Sequence, residues 1–140
     1  MSDHSSWSIE NIPDADILFL RVSRQWCPDL LLHPGVFKEN KGSMSVDWAK
    51  YCTSQDTRTR QGEPQRFGIV ELIAGPVRRP PGIDDHLTVN HEPTQGTALP
   101  DNRAHSAVYG IESDGKRKLR IRTALYKRFG TWLIHPDDPF

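Results

Sequence analysis

Residues 67–75 read FGIVELIAG, and the fold class is decided here. Six of the nine positions are apolar, packed into a short span that opens at Gly68 and closes at Gly75. A run of this length suits a buried strand, because a helix needs ten or more residues to bury a face. Upstream, Asp16 opens ILFLRVS (17–23), a near-continuous apolar run that reads the same way. Downstream, Leu87–Val89 and Ser106–Ile111 are strands flanking a long polar loop, and Trp132–Ile134 is a short closing strand.

Helical signals are fewer. Ile121, Leu125, Phe129 and Trp132 recur at the spacing of one helix face, with Gly130 where such a helix ends. Thr53 or Ser54 can cap a short helix that carries Asp56 in its first turn and stops by Gly62. Ser43–Tyr51 (SMSVDWAKY) is open between a strand end and a short helix capped by Ser45. Val36–Asn40 is a strand candidate closed by a turn at Lys41–Gly42, and Asp114–Gly115 is a second tight turn. The stretch 76–82, PVRRPPG, excludes regular structure.

These elements predict one α+β domain: a mixed, mainly antiparallel sheet with a C-terminal amphipathic helix packed on one face. The strands are expected over 16–23, 67–74, 87–91, 105–111 and 131–135. The core is expected from Ile17, Phe19, Val22, Ile69, Val70, Leu72, Val108, Ile121, Leu125 and Phe129. The globular part spans 14–136. Residues 1–13 form a flexible tail that docks only through Trp7 and Ile9, and 137–140 form a C-terminal tail.

Composition narrows the function classes. At 140 residues the chain holds one domain, and eleven prolines with ten glycines make it loop-rich. Formal net charge is zero, so any attraction to nucleic acid or membrane must be local. No apolar run approaches the roughly 20 residues of a membrane span, and the polar N-terminus lacks the pattern of a secretory signal. Cys27 and Cys52 show no pairing pattern, so a cytoplasmic location is expected.

Candidate site residues gather in and around 84–110, DDHLTVNHEPTQGTALPDNRAHSAVYG. Loops between rigid strands carry function because the strands fix their geometry. His91 and His105 could converge on a metal with Asp84 or Asp85, but no metal-ligand spacing supports this and neither metal nor cofactor is expected. Asp101 and Asn102 are turn residues, Arg103 offers a fork for carboxylate or phosphate, and His105 begins a strand that would hold its ring rigidly. Alternation puts His105, Ala107 and Tyr109 on one face. Seven cations between Lys116 and Arg128, without an acid among them, are expected to be a solvated helix face offset by acids elsewhere. Nucleophile elbows, phosphate loops and dinucleotide fingerprints are absent from the sequence.

Asp16–Val22, Ser45–Tyr51 (SVDWAKY), Phe67–Val70 and Asp101–Ser106 (DNRAHS) together resemble a family of small uncharacterised bacterial proteins. That resemblance covers about 16–134, implies a bacterial cytosolic origin and carries no activity. The order of Arg21, Ser43–Met44–Ser45 and Glu71 is also similar to ADP-ribosyltransferases, which place an Arg, a Ser-x-Ser and a Glu in that sequence.

The expected function is therefore a small binding or accessory module that recognises a protein or small ligand through the 84–105 loop. Its ligand-binding residues would be Arg21, Ser45, Asn102, Arg103 and His105. The alternative is a small transferase or hydrolase, ADP-ribosyltransferase-like in one version, with His105 as acid–base. No catalytic set is assigned, and neither membrane nor nucleic acid is an expected partner.

Overall fold

A computed structural model describes residues 7–96, 100–112 and 115–140. Six strands form one sheet, β1 (Ile17–Ser23), β2 (Met44–Trp48), β3 (Phe67–Ile73), β4 (Thr88–His91), β5 (His105–Tyr109) and β6 (Trp132–Ile134). Their order is β4-β5-β2-β1-β3-β6, with every pairing antiparallel. The helices are α1 (Ser54–Thr59), α2 (Ala74–Arg78) and α3 (Gly115–Phe129). The α+β class thus stands, with an antiparallel sheet in place of a mixed one and the C-terminal helix where the spacing put it.

Strand alternation divides the side chains between two faces. On one face Leu18, Leu20, Val22, Met44, Val46, Trp48, Val70, Leu72, Val89 and Val108 form the main core with Ile121, Leu125 and Phe129 of α3. On the other, Phe19, Ile69 and Ile134 form a smaller cluster with Ile17, Ala49 and Cys52 beside it. Nine of the ten expected core residues are buried, split across the sheet, and Ile17 is only partly buried beside the smaller cluster. Trp132 leaves the helix and lies in β6 opposite Val70. Gly68 is required where it is, because a Cβ there would run into the Trp132 ring and the Ile134 carbonyl.

Three local expectations change. Ser43–Tyr51 resolves as strand β2, since Met44, Val46 and Trp48 are buried at every second position. Val36–Asn40 forms no strand: Pro34 starts a single 3₁₀ turn over Pro34–Val36, and only Asn40 and Ser43 bridge. They do so around Lys41 (φ 59°) and Gly42 (φ 96°), the two left-handed residues of a tight hairpin turn. Pro76 and Arg78 are helical in α2 despite the proline. Pro76 lies in the first turn, where a missing N–H breaks no helical bond. Thr53 caps α1 as expected, through a reciprocal capping box with Asp56. The turn expected at Asp114–Gly115 lies partly outside the described residues.

Both expected tails are held where they are described. Ile12 is buried in the main core, Glu10 accepts from Lys50 and Tyr51, and the Trp7 N–H donates to Gln95, whereas Ile9 is 75% exposed. Docking therefore runs through Glu10 and Ile12 and not through Ile9. At the other end Arg58 is fully buried with no carboxylate partner among the described residues. Its guanidinium donates to the carbonyls of Pro64, Phe67, Pro136, Asp138 and Pro139, and it stacks on Phe140.

Two stability outcomes follow. Leu125→Ala should cost about 2–5 kcal/mol in urea unfolding, while Lys127→Ala on the exposed face should stay within about 0.5 kcal/mol. Equal small losses would mean α3 does not seat on the core. Arg122, three residues before Leu125 and so on an adjoining part of the helix surface, is not such a neutral site: it pairs with Glu112 and its Nε is buried. Arg58→Ala strands several buried carbonyls at about 1–3 kcal/mol each, so a loss of at least about 3 kcal/mol is expected even with water entering. A loss below about 1 kcal/mol would show that the C-terminal segment is not held by this residue.

Candidate functional site

The site begins on β2. Because Met44, Val46 and Trp48 face the main core, Ser45 and Asp47 project from the opposite face. Across β2–β5 Ser45 pairs with Ala107 and Asp47 with His105, and across β4–β5 Asn90 pairs with Ala107. Across β1–β2 Phe19 pairs with Asp47, and continuing that register sets Arg21 opposite Ser45. α1 covers the Phe19–Ile69 half of this face. Toward β4 the face stays open: Ser45, Thr88 and Asn90 are exposed, and Arg21, His105 and Tyr109 are half-buried.

Within the open half the chemistry is specific. His105 Nδ1 is 2.8 Å from the Glu92 carbonyl oxygen, which can only accept, so Nδ1 carries a proton. In the neutral ring Nε2 is then a lone pair, and it stands 3.4 Å from Ser45 Oγ. Tyr109 donates to the Glu92 carboxylate at 2.5 Å, a bond that raises the phenol pKa with help from burial. Expected neighbours His105 and Tyr109 thus share one face and converge on one residue, Glu92.

Asp47 sits at the edge of this group, 6% exposed. Its Oδ1 accepts from Asn102 Nδ2 at 2.9 Å, and its Oδ2 accepts from Thr57 Oγ1 at 2.8 Å and Arg60 Nε at 3.1 Å. Arg21 makes no hydrogen bond or ion pair with the described residues and lies over the Phe67 ring at 4.7 Å. Burial draws its pKa below the ordinary guanidinium value; Asp47 opposes that shift and Arg60 adds to it. It remains charged at neutral pH, as guanidinium does.

The five expected ligand residues therefore divide. Arg21, Ser45 and His105 share the open face. Asn102 is buried and fully used: its amide nitrogen donates to Asp47 and its oxygen accepts from the Ala104 N–H. Arg103 is exposed but elsewhere, stacked on Tyr51 at 4.2 Å. The 84–105 segment is likewise less a free loop than a folded one, with Thr94 and Asn102 bridged; residues 97–99 lie outside the described part. Asp47, Thr57 and Arg60 carried no signal on their own. Alternation in MSVDW does place Asp47 beside Ser45, and that pattern could have found it.

The histidines do not converge. His91 lies on the main-core face, opposite His105, and is 1% exposed. Its Nδ1 accepts from the Glu10 N–H at 3.0 Å, its Nε2 donates to the Arg103 carbonyl at 2.7 Å, and its ring stacks on Tyr51. That is a satisfied core histidine holding the N-terminal segment. The thiols are no better as nucleophiles, because burial raises the pKa of both Cys27 and Cys52.

No family model, curated protein or solved structure matches this chain.

Two shallow grooves, of about 410 and 500 Å³, lie on the opposite side between residues 81–85 and α3. Neither includes Arg21, Ser45 or His105. The basic segment beside them is partly neutralised: Arg117 and Arg120 both grip Asp85, and Arg122 grips Glu112. Glu71 of β3 sits opposite Phe19, one alternation away from the Arg21–Ile69 pair. No helix among the described residues is long and apolar enough to cross a membrane.

Three carboxylates set the acid response. Hydrogen bonds from Lys50 and Tyr51 lower the pKa of Glu10, those from Arg78 and Arg79 lower Asp14, and that from Arg120 lowers Asp85. A pKa depressed by folding contributes stability above the ordinary carboxylate range, and that contribution is lost as pH falls through the depressed value. Urea midpoints should therefore drop as pH falls below about 4, and Glu10→Gln with Asp85→Asn should flatten the drop. An unchanged acid limb in the double variant would contradict these assignments.

Proposed function

We propose that the protein is a binding module whose open sheet half holds a small oxyanion, a phosphate or carboxylate group, between Arg21, Ser45 and His105. The observation that carries this is Arg21: a half-buried guanidinium without a hydrogen-bond partner among the described residues. Burying a charge is costly unless it is paired, and the nearby carboxylate of Asp47 is turned to Asn102, Thr57 and Arg60 and makes no ion pair with Arg21. The Glu92 carboxylate is held by Tyr109 at the far side of the face, so the attraction for an anion is local to Arg21. An oxyanion would accept the planar fork of Arg21 and the hydroxyl of Ser45. Recognition thus belongs to the His105 end of the 84–105 segment and to β1 and β2.

Nucleic acid has no place in this reading. Three of the seven late cations are bound to Asp85 and Glu112, and affinity for duplex depends on the number of phosphates neutralised.

Isothermal titration with inorganic phosphate tests the proposal. Parental protein should bind, Arg21→Lys should bind more weakly because the fork is lost, and Arg21→Ala should not bind measurably. Ser45→Ala and His105→Ala should unfold within about 1 kcal/mol of the parent, as expected of residues outside the core. Parental affinity in Arg21→Ala, or no binding by the parent, would overturn the reading.

A further inference from the structure

Chemistry that the sequence alone does not reveal is present on the open face: a hydroxyl nucleophile paired with a pre-oriented base. Ser45 and His105 are sixty residues apart and meet only because β2 and β5 pair antiparallel, with Ser45 diagonal to His105 across the Ser45–Ala107 and Asp47–His105 rungs. Three features coincide there. Ser45 Oγ is 3.4 Å from His105 Nε2, within the looser range expected of a nucleophile and base before substrate binds. The opposite ring nitrogen is fixed by the Glu92 carbonyl, which forces the tautomer whose Nε2 can accept a proton. Next to the pair stands the positive charge of Arg21, with Arg60 behind it held by Asp47.

Other hydroxyls nearby or in the core are committed to partners of their own. Ser106 Oγ donates to the Ala104 carbonyl in the core, Thr57 Oγ1 donates to Asp47, and Ser23 Oγ accepts from the Gln25 N–H. Among the described residues, Ser45 and His105 form the one hydroxyl–imidazole hydrogen-bonding contact.

We propose that this face carries out acyl transfer to water, with Ser45 as nucleophile and His105 as general base, on esters whose acyl part bears an anionic group. The proposal rests on the oxyanion site described above, since Arg21 anchors that anionic group. Ser45 Oγ bonds to the ester carbonyl carbon while its proton passes to His105 Nε2, and the carbonyl π pair moves onto oxygen. The imidazolium formed at His105 counters the developing oxyanion, while Arg21 stays on the substrate's anionic group. Collapse of the intermediate breaks the bond to the alcohol oxygen, which leaves with the proton from Nε2, and Ser45 is acylated. Water then adds to the acyl carbon, gives its proton to Nε2, and Ser45 Oγ departs taking that proton back. The net change is ester plus water to carboxylic acid plus alcohol, with no oxidant or cofactor.

The test uses the full chain with p-nitrophenyl hemisuccinate as the anionic ester, p-nitrophenyl acetate as the neutral one, and a fluorophosphonate probe for covalent labelling. The expected results are turnover of the hemisuccinate and a single label mapped to Ser45. Ser45→Ala should fall to the uncatalysed rate. His105→Ala should lose at least about 100-fold, and added imidazole should restore part of that loss, which a purely structural role for the ring would not allow. Arg21→Ala should raise KM for the hemisuccinate by a larger factor than for the acetate. Circular dichroism on each variant separates lost chemistry from lost fold. Labelling at another residue, no labelling, or parental turnover by Ser45→Ala would overturn acyl transfer. Arg21-dependent phosphate binding without turnover would remove this proposal and leave the binding reading standing; loss of both would remove both.

Discussion

The carboxylate of Asp47 is the constraint on which the rest of the arrangement turns. It projects from a central strand onto the second face of the sheet, where few groups are available to solvate it. Three side chains have to come to it. Thr57 and Arg60 bring α1 and its C-terminal end, and Asn102 brings the turn before β5. Since an unpaired buried carboxylate costs several kcal/mol, the positions of these elements are set together. Asn102 in turn binds the Ala104 N–H, whose residue accepts from the Trp48 N–H, so the start of β5 is registered against the end of β2. His105 is the next residue. Its place opposite Asp47, and hence diagonal to Ser45, follows from this chain of bonds.

Satisfying Asp47 also decides what Arg21 lacks. Arg60, and not Arg21, forms the ion pair with this carboxylate, and α1 ends before it covers the β2–β5–β4 side. A half-buried cation is left facing open surface. Elsewhere the chain is tied down: Arg58 holds the C-terminal segment through five carbonyls, and His91 and Glu10 hold the N-terminal one on the opposite face. The contrast between pinned ends and a half-buried guanidinium with no hydrogen-bond partner among the described residues is what makes this surface the functional candidate.

Much of this was legible in the sequence, and what was not has physical causes. Apolar runs gave β1 and β3, and the spacing of Ile121, Leu125 and Phe129 gave α3, because burial of one face leaves a periodic mark. Proline was over-read at Pro76, since a breaker inside a helix is harmless in its first turn. Val36–Asn40 looked like a strand, but Pro34 sets a 3₁₀ turn through Val36 and only Asn40 pairs, with Ser43. Arg21, Ser45 and His105 were each singled out by residue type and position, yet their sharing a face depends on strand order, which no local pattern encodes. Asn102 and Arg103 were misplaced for the same reason: whether a turn residue faces ligand or a buried carboxylate is a matter of tertiary partners. The role of Arg58 left no mark at all, because five backbone carbonyls from distant segments have no sequence signature.

The central claim is that the open half of the sheet, and not the lysine-lined groove beside α3, is where an anion binds. Nuclear magnetic resonance with ¹⁵N-labelled protein and inorganic phosphate addresses it directly. The account predicts saturable shifts at the Arg21 Nε–H, the His105 ring and the amides of Ser45 and Ala107, with the amides around Leu119 and Lys127 unmoved. Shifts confined to the Leu119–Lys127 stretch, with Arg21 and His105 silent throughout the titration, would contradict it.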